Sequence, residues 1–213
     1  MEATPLRIFE AATSHAEQIH ALGDRAFGIT WATTFPRVAA LEKIIRQVSR
    51  NGWVVTVAVD GEQVTGCCVV KPHQGDQGVM LESVWCELAF VAVADGHRGH
   101  GLGTHLVADV RQRVLAAGRL GMMATIQSKA VGWYTHMDWH VGEAGHALTI
   151  PDVRTRRYGP MVWVHPSRLT HPRWAWTPLD PARPVIAWTT RAGRVAQSVL
   201  AEELARQQSA EPV

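Results

Sequence analysis

The chain has 213 residues, 46% of them hydrophobic and 19% charged, with a formal net charge of +2. That is ample for one core with an appendage, and the interspersed signs exclude the basic face of a nucleic-acid binder. No apolar run reaches the roughly 18 residues that cross a bilayer, and no basic-then-apolar targeting pattern opens the chain. A cytoplasmic protein without nucleic-acid or membrane partners is expected.

In chain order, Leu6 to Ala11 alternates like a strand. Ser14-His-Ala-Glu17 reads as a capping box, with a helix carrying Ile19, Leu22, Ala26 and Phe27 on one face and Gly28 at its end. Residues 28–37 read as a Thr-rich loop holding Trp31 and Phe35. A second helix follows from Val38 to Arg50, closed by Asn51-Gly52. Trp53 to Val59 and Gln63 to Lys71 are β-rich runs around Asp60-Gly61, the signature of a hairpin with a type I′ turn. Vicinal Cys67 and Cys68 should point to opposite faces of their strand, and three cysteines without C-x-x-C spacing fit a reducing compartment, not a metal site.

Pro72 to Gly78 reads as a polar loop, and Met80 to Ala94 as a strand long enough to bend or bulge midway. Its last part, Leu88 to Ala94, runs into a glycine-dense turn, Asp95 to Gly103, and then a helix opening at Thr104 with Leu106, Val107, Val110, Val114 and Leu115 at helical spacing. A strand that delivers a glycine-rich turn to a helix N-terminus makes an anion site, because the first amides of a helix lack internal acceptors and the dipole adds positive potential. A phosphate-bearing ligand is therefore expected. An ordinary strand–turn–helix connection has the same local pattern. The loop is not a Walker loop, since no Gly-Lys-Ser/Thr follows, nor the dinucleotide fingerprint, since Leu106 stands where the third small residue belongs. His97, His100 and His105 lack a carboxylate at ligand spacing and read as solvated or phosphate-facing; no metal is expected.

Met122 to Gln127 is the next strand, Ser128 or Lys129 opens a short helix ending at Asp138, and Trp139 to Glu143 starts another strand. Tyr158 to His165 is the last convincing one. From Pro166 onward the residues read as a surface-wrapping extension, with a helix from Arg191 to Gln208 that packs on the domain or on a second subunit in a homodimer. The element order is that of an α/β fold with a mixed sheet.

Arg98-x-x-Gly101-x-Gly103 between strand and helix resembles the coenzyme A pyrophosphate loop of the GNAT N-acetyltransferase superfamily. Ala130-Val-Gly-Trp133-Tyr134-Thr-His-Met-Asp138-Trp139 is similar to that family's short-helix motif, with Asp138 where glycine is usual and Trp139 where phenylalanine is usual. Asp tolerates the left-handed conformation better than most residues, so the helix exit survives the exchange. Glu87-Leu-Ala-Phe-Val-Ala-Val resembles the histone acetyltransferase branch, in which a glutamate at this place is the general base.

The resemblance implies a GNAT domain over residues 1–165 with an extension over 166–213, and acetyl-CoA as co-substrate. It implies that backbone groups of Val91, Ala92 and Val93 hold the thioester and pantetheine arm, and that Arg98, Gly99, His100, Gly101, Leu102, Gly103 and Thr104 cradle the pyrophosphate. Tyr134, a phenol protonated at neutral pH, is the candidate acid for the departing thiolate; its other reading is a core aromatic. Glu87 is the candidate base, since burial raises a carboxyl's pKa toward neutrality. Its other reading is an edge glutamate facing solvent or paired with an arginine, and Glu82, or water by itself, is the alternative base. Cys86 as an acetylated nucleophile is the least favoured route. Trp31, Trp133, Trp139, Trp174 and Trp176 either line an acceptor cleft or fill the core. The acceptor is a primary amine, on a small molecule or on a protein lysine or N-terminus; an Ala-, Arg- and Trp-rich composition reads as bacterial. The competing reading is a coenzyme A-binding module without catalysis.

Overall fold

The structure is a computed structural model that describes residues 6–47, 52–72, 85–150, 161–163, 173–180 and 188–191. The chain divides into two compact units, Met1–Gln74 with Met80–Met122, and Gly75–Val79 with Met123–Val213.

In the first unit, β1 (Arg7–Glu10), β2 (Val54–Asp60), β3 (Gln63–Pro72) and β4 (Trp85–Val93) follow one another across the sheet, each antiparallel to the next. One sheet face carries α1 (Ala16–Phe27), α2 (Ile29–Thr34) and α3 (Val38–Arg46), whose Ile19, Leu22, Trp31, Phe35 and Leu41 share a core with Val55, Val57, Cys67, Val69 and Phe90. Ile19 and Leu22 recur at the helical period on α1, and burying each contributes on the order of 1.5–3 kcal/mol. Residues of the opposite parity face the other way: a side chain at Gly66, next to core-facing Cys67, would meet Leu106 of α4 (Leu102–Ala116). Helix α4 buries Leu102, Leu106, Val107, Val110 and Val114.

Several local expectations are corrected. Helix α1 begins at Ala16, after a 3-10 turn over Thr13–His15, and Ser14 makes no cap; instead His15 Nδ1 accepts from the Ala12 amide at 3.0 Å. The Thr-rich loop contains a helix, α2, around Trp31, which is fully buried between Phe27, Phe35 and Phe90. Gly23 makes that seat possible, because a Cβ there would lie 2.3 Å from the indole. The hairpin forms with Asp60 opposite Gln63, so its loop is Gly61-Glu62 with positive φ on Gly61 alone, the type II′ pattern and not I′. Helix α3 ends at Arg46, and α4 opens at Leu102, two residues before Thr104. The polar loop after Pro72 and the first third of the expected strand, before Trp85, lie outside the described residues.

Strand β5 (Gly121–Ile126) starts in the first unit, beside β4, and ends in the second. In the second unit the order continues β5, β9 (Arg173–Pro178), β6 (His140–Val141), while β7 (His146–Ile150) lies between β8 (Met161–Trp163) and β10 (Trp188–Arg191) in a separate three-stranded sheet. Residues 173–178 therefore do not wrap the surface: they form an internal strand that buries Trp174, Ala175 and Thr177. The expected helix after Arg191 lies outside the described residues. The helix α5 (Val131–His136) follows a 3-10 turn over Ser128–Ala130. Among the described residues no helix is long and apolar enough to cross a membrane.

Candidate functional site

The loop between β4 and α4 is held at both ends. At its start, β3 carries one extra residue at Thr65, where the register with β2 shifts. The bulge turns the Thr65 carbonyl to accept from the Ala94 amide at 2.8 Å, which fixes the exit of β4. At its end, Leu102 and Leu106 sit over Gly66: a Cβ there would come within 2.9 Å of Leu106 and 3.3 Å of the Ala92 carbonyl. Sequence reasoning missed both residues. The missing signal for Thr65 was a tertiary register, whereas a lone glycine inside a strand does hint at a close approach.

Between these anchors the main chain turns on Gly99 and Gly101, both at φ +79°, where an L side chain is strained. Gly101 is the N-cap of α4, and the first helical bond runs from the His105 amide to the Gly101 carbonyl at 3.1 Å. Leu102 and Gly103 precede that bond, so their amides have no carbonyl four residues back to bond within the helix. Leu102 buries its side chain and can serve only through its backbone; His100 and Gly101 are exposed, Gly103 and Thr104 half-buried. Arg98 folds onto its own loop, with Nε donating to the Val93 carbonyl at 2.9 Å and a terminal nitrogen 2.8 Å from Asp95. Its first task here is to brace the loop. The arrangement suits an anion gripped by main-chain donors.

Upstream, β4 bulges. Val69 faces Phe90 but Val70 faces Leu88, so Ala89 is an extra residue on β4. The bulge expected midway along this strand is present, two residues before Val91. Val91 and Ala92 lie opposite Cys68 and Cys67, and Val93 lies opposite Gly66. Glu87 is 8% exposed and lies opposite Lys71, whose ammonium is 3.3 Å from its carboxylate. The ammonium offsets the cost of burying that carboxylate. Cys86 is buried with its thiol pushed up to about 12, chiefly by burial, and Sγ reaches the Gly121 carbonyl at 3.6 Å. A thiol so held is a poor nucleophile. Cys67 is likewise pushed up to about 12 and Cys68 well above its usual range by burial. Glu82 lies outside the described residues.

Tyr134 belongs to the second unit. It is buried on α5, edge-on to Trp133 at 4.9 Å and to Trp139 at 5.0 Å. Its carbonyl accepts from the Met137 and Trp139 amides, both at 3.1 Å, closing the helix. Asp138 sits at φ +60°, the only non-glycine residue with positive φ among those described, as the sequence led us to expect at the usual glycine. Trp31, Trp139 and Trp174 are core residues, while Trp133 and Trp176 are half-buried, Trp176 stacking on His140. Among the described residues no three His, Cys, Asp or Glu side chains converge on a cation-sized site.

Residues 51–141 match the family model described as the acetyltransferase (GNAT) domain. No curated protein matches the chain. Among solved structures, the chain is similar to an N-acetyltransferase from Staphylococcus aureus Mu50, at 15% identity over 83% of this chain and 100% of that one, with TM-score 0.58. It is similar to the putative acetyltransferase YncA from Salmonella typhimurium with acetyl-CoA, at 16% identity over 83% and 95%, TM-score 0.56. It is also similar to a phosphinothricin acetyltransferase from Sinorhizobium meliloti in complex with acetyl-CoA, at 14% identity over 86% and 94%, TM-score 0.58. The fold is the mixed α/β GNAT fold.

Proposed function

We propose that the chain is an acetyl-CoA-dependent N-acetyltransferase acting on a primary amine. The observation that carries this reading is the loop at Gly99 and Gly101: two left-handed glycines deliver Leu102, Gly103 and Thr104 to a helix mouth at the end of a bulged strand. Main-chain amides there would grip the diphosphate of coenzyme A, and the pantetheine arm would run back along Val91, Ala92 and Val93. Similar folds bound to acetyl-CoA support the same ligand.

In the proposed reaction an ammonium gives a proton to Glu87, directly or through water, and the free amine attacks the thioester carbonyl. Backbone donors near the Ala89 bulge stabilise the developing oxyanion. The tetrahedral adduct loses the extra proton on its nitrogen to solvent and expels the coenzyme A thiolate, which takes a proton from Tyr134, the residue that the short-helix motif assigns to this step. The proton on Glu87 and the vacancy on Tyr134 are balanced through solvent, leaving an acetamide and a thiol. Burial of Glu87 beside a counter-charge supports its role, and the acceptor is a small-molecule amine or a protein lysine or N-terminus.

Amine-dependent release of free thiol from acetyl-CoA tests the proposal. An acetyltransferase releases one thiol per amide formed. A binding module is stabilised by acetyl-CoA yet releases none with any amine.

A further inference from the structure

We infer that Lys71 is a positioning residue for Glu87, forming with it a cross-strand base pair whose register is set by the Ala89 bulge. This rests on the proposal that Glu87 takes the proton.

Phe90 and Val69 face the α1–α3 core. In an unbroken strand, Glu87, three residues before Phe90, would point to the opposite face. The extra residue at Ala89 reverses the parity, and Glu87 falls opposite Lys71 on the side shared with Val69. One irregularity thus interrupts the regular ladder two residues before Val91 and turns the carboxylate toward its counter-charge. The ion pair is unequal: the Lys71 side chain is 35% exposed and the Glu87 side chain 10%. Lysine therefore keeps contact with water while the carboxylate is nearly sealed.

β5 carries no ionisable side chain. On α1 the buried residues are Ala16, Ile19, Leu22 and Gly23, and on α4 they are all aliphatic. His20 of α1 is engaged by the Phe35 carbonyl at 2.9 Å, and Asp109 of α4 by Arg113 at 2.7 Å. Cys86, beside Glu87 on β4, stays a neutral thiol, with Arg119 acting on it. Lys71 is a cation in direct contact with Glu87, and it favours the ionised carboxylate that can accept a proton.

The test is the pH profile of kcat/KM for wild type, Lys71→Met, Lys71→Arg and Glu87→Gln. Lys71→Met should move the acidic limb upward by about one pH unit, the lower end of what a nearby opposite charge does. Activity should recover at high pH, and KM for acetyl-CoA should not change. Lys71→Arg should restore the wild-type limb. A loss in Lys71→Met that is equal at every pH, or a limb that stays in place, overturns the inference. The double variant Lys71→Met/Glu87→Gln, which leaves neither charge buried, should regain thermal stability lost by Lys71→Met. No recovery there also counts against the pairing. Glu87→Gln separates the two claims: if it keeps the acidic limb, Glu87 is not the base and both readings fall. If it abolishes the limb while Lys71→Met does not move it, only the role of Lys71 falls.

Discussion

The loop between β4 and α4 and the short helix α5 each carry one half of the resemblance, and they are built in opposite ways. The loop is largely exposed and made of main chain: its geometry comes from Gly99 and Gly101 at positive φ, and Arg98 is spent on the Val93 carbonyl and Asp95. In α5 the proposed contributor is a buried side chain, Tyr134, packed edge-on against two tryptophans. A site made of amides is damaged by adding a Cβ, and a site made of a phenol by removing one oxygen. The same kind of substitution should therefore have different signatures in the two places.

The largest effect is expected at Tyr134. Tyr134→Phe should lower turnover about a hundredfold, the lower range for a lost proton donor, while acetyl-CoA binding measured by calorimetry stays within about twofold of wild type. Parallel loss of binding would mean that the residue holds the structure and not the proton.

Gly101→Val should show the reverse: acetyl-CoA affinity reduced about tenfold or more, from roughly 1–2 kcal/mol of left-handed strain plus displaced amides. Turnover at saturating acetyl-CoA should fall much less. Equal affinity would break the contrast between the two regions.

The buried thiols of the sheet offer a pH test. Cys67 and Cys86 ionise near pH 9 when unfolded and near 12 when folded, so the folded state holds more protons between those values. The contribution of these thiols to stability should be constant well below pH 9 and fall as pH rises toward 12, by up to about 1.4 kcal/mol per pH unit for each thiol. Denaturant midpoints at pH 8, 9 and 10 check this. Cys67→Ala should flatten part of the slope; an unchanged slope would mean that its thiol is open to water.

The smallest effect is at Asp138. Asp138→Gly should leave the melting temperature equal or slightly raised, whereas Asp138→Val should cost about 1–2 kcal/mol, because only the latter fights φ +60°. Equal melting temperatures would show that the helix exit does not need the left-handed residue.

What could be read from the sequence follows the same division. The β4–loop–α4 passage and Asp138 were legible because glycine, and aspartate in its place, report backbone conformation locally. Helix α2 was not, since Ile29–Thr34 is rich in β-branched residues of low helix propensity and is held by burial of Trp31. Strand β9 was not, because prolines flank it and its place between β5 and β6 is a tertiary pairing. Lys71 could not be connected to Glu87, since their register turns on one bulged residue.

The central claim is that main-chain amides at the mouth of α4 hold a diphosphate. It is tested most directly by titrating the protein with acetyl-CoA and with S-acetylpantetheine, which keeps the thioester and arm but lacks the diphosphate. Tight binding of acetyl-CoA, with affinity for the truncated compound lower by about a hundredfold or more, is the expected result. Comparable affinities, or no heat with acetyl-CoA, would contradict it.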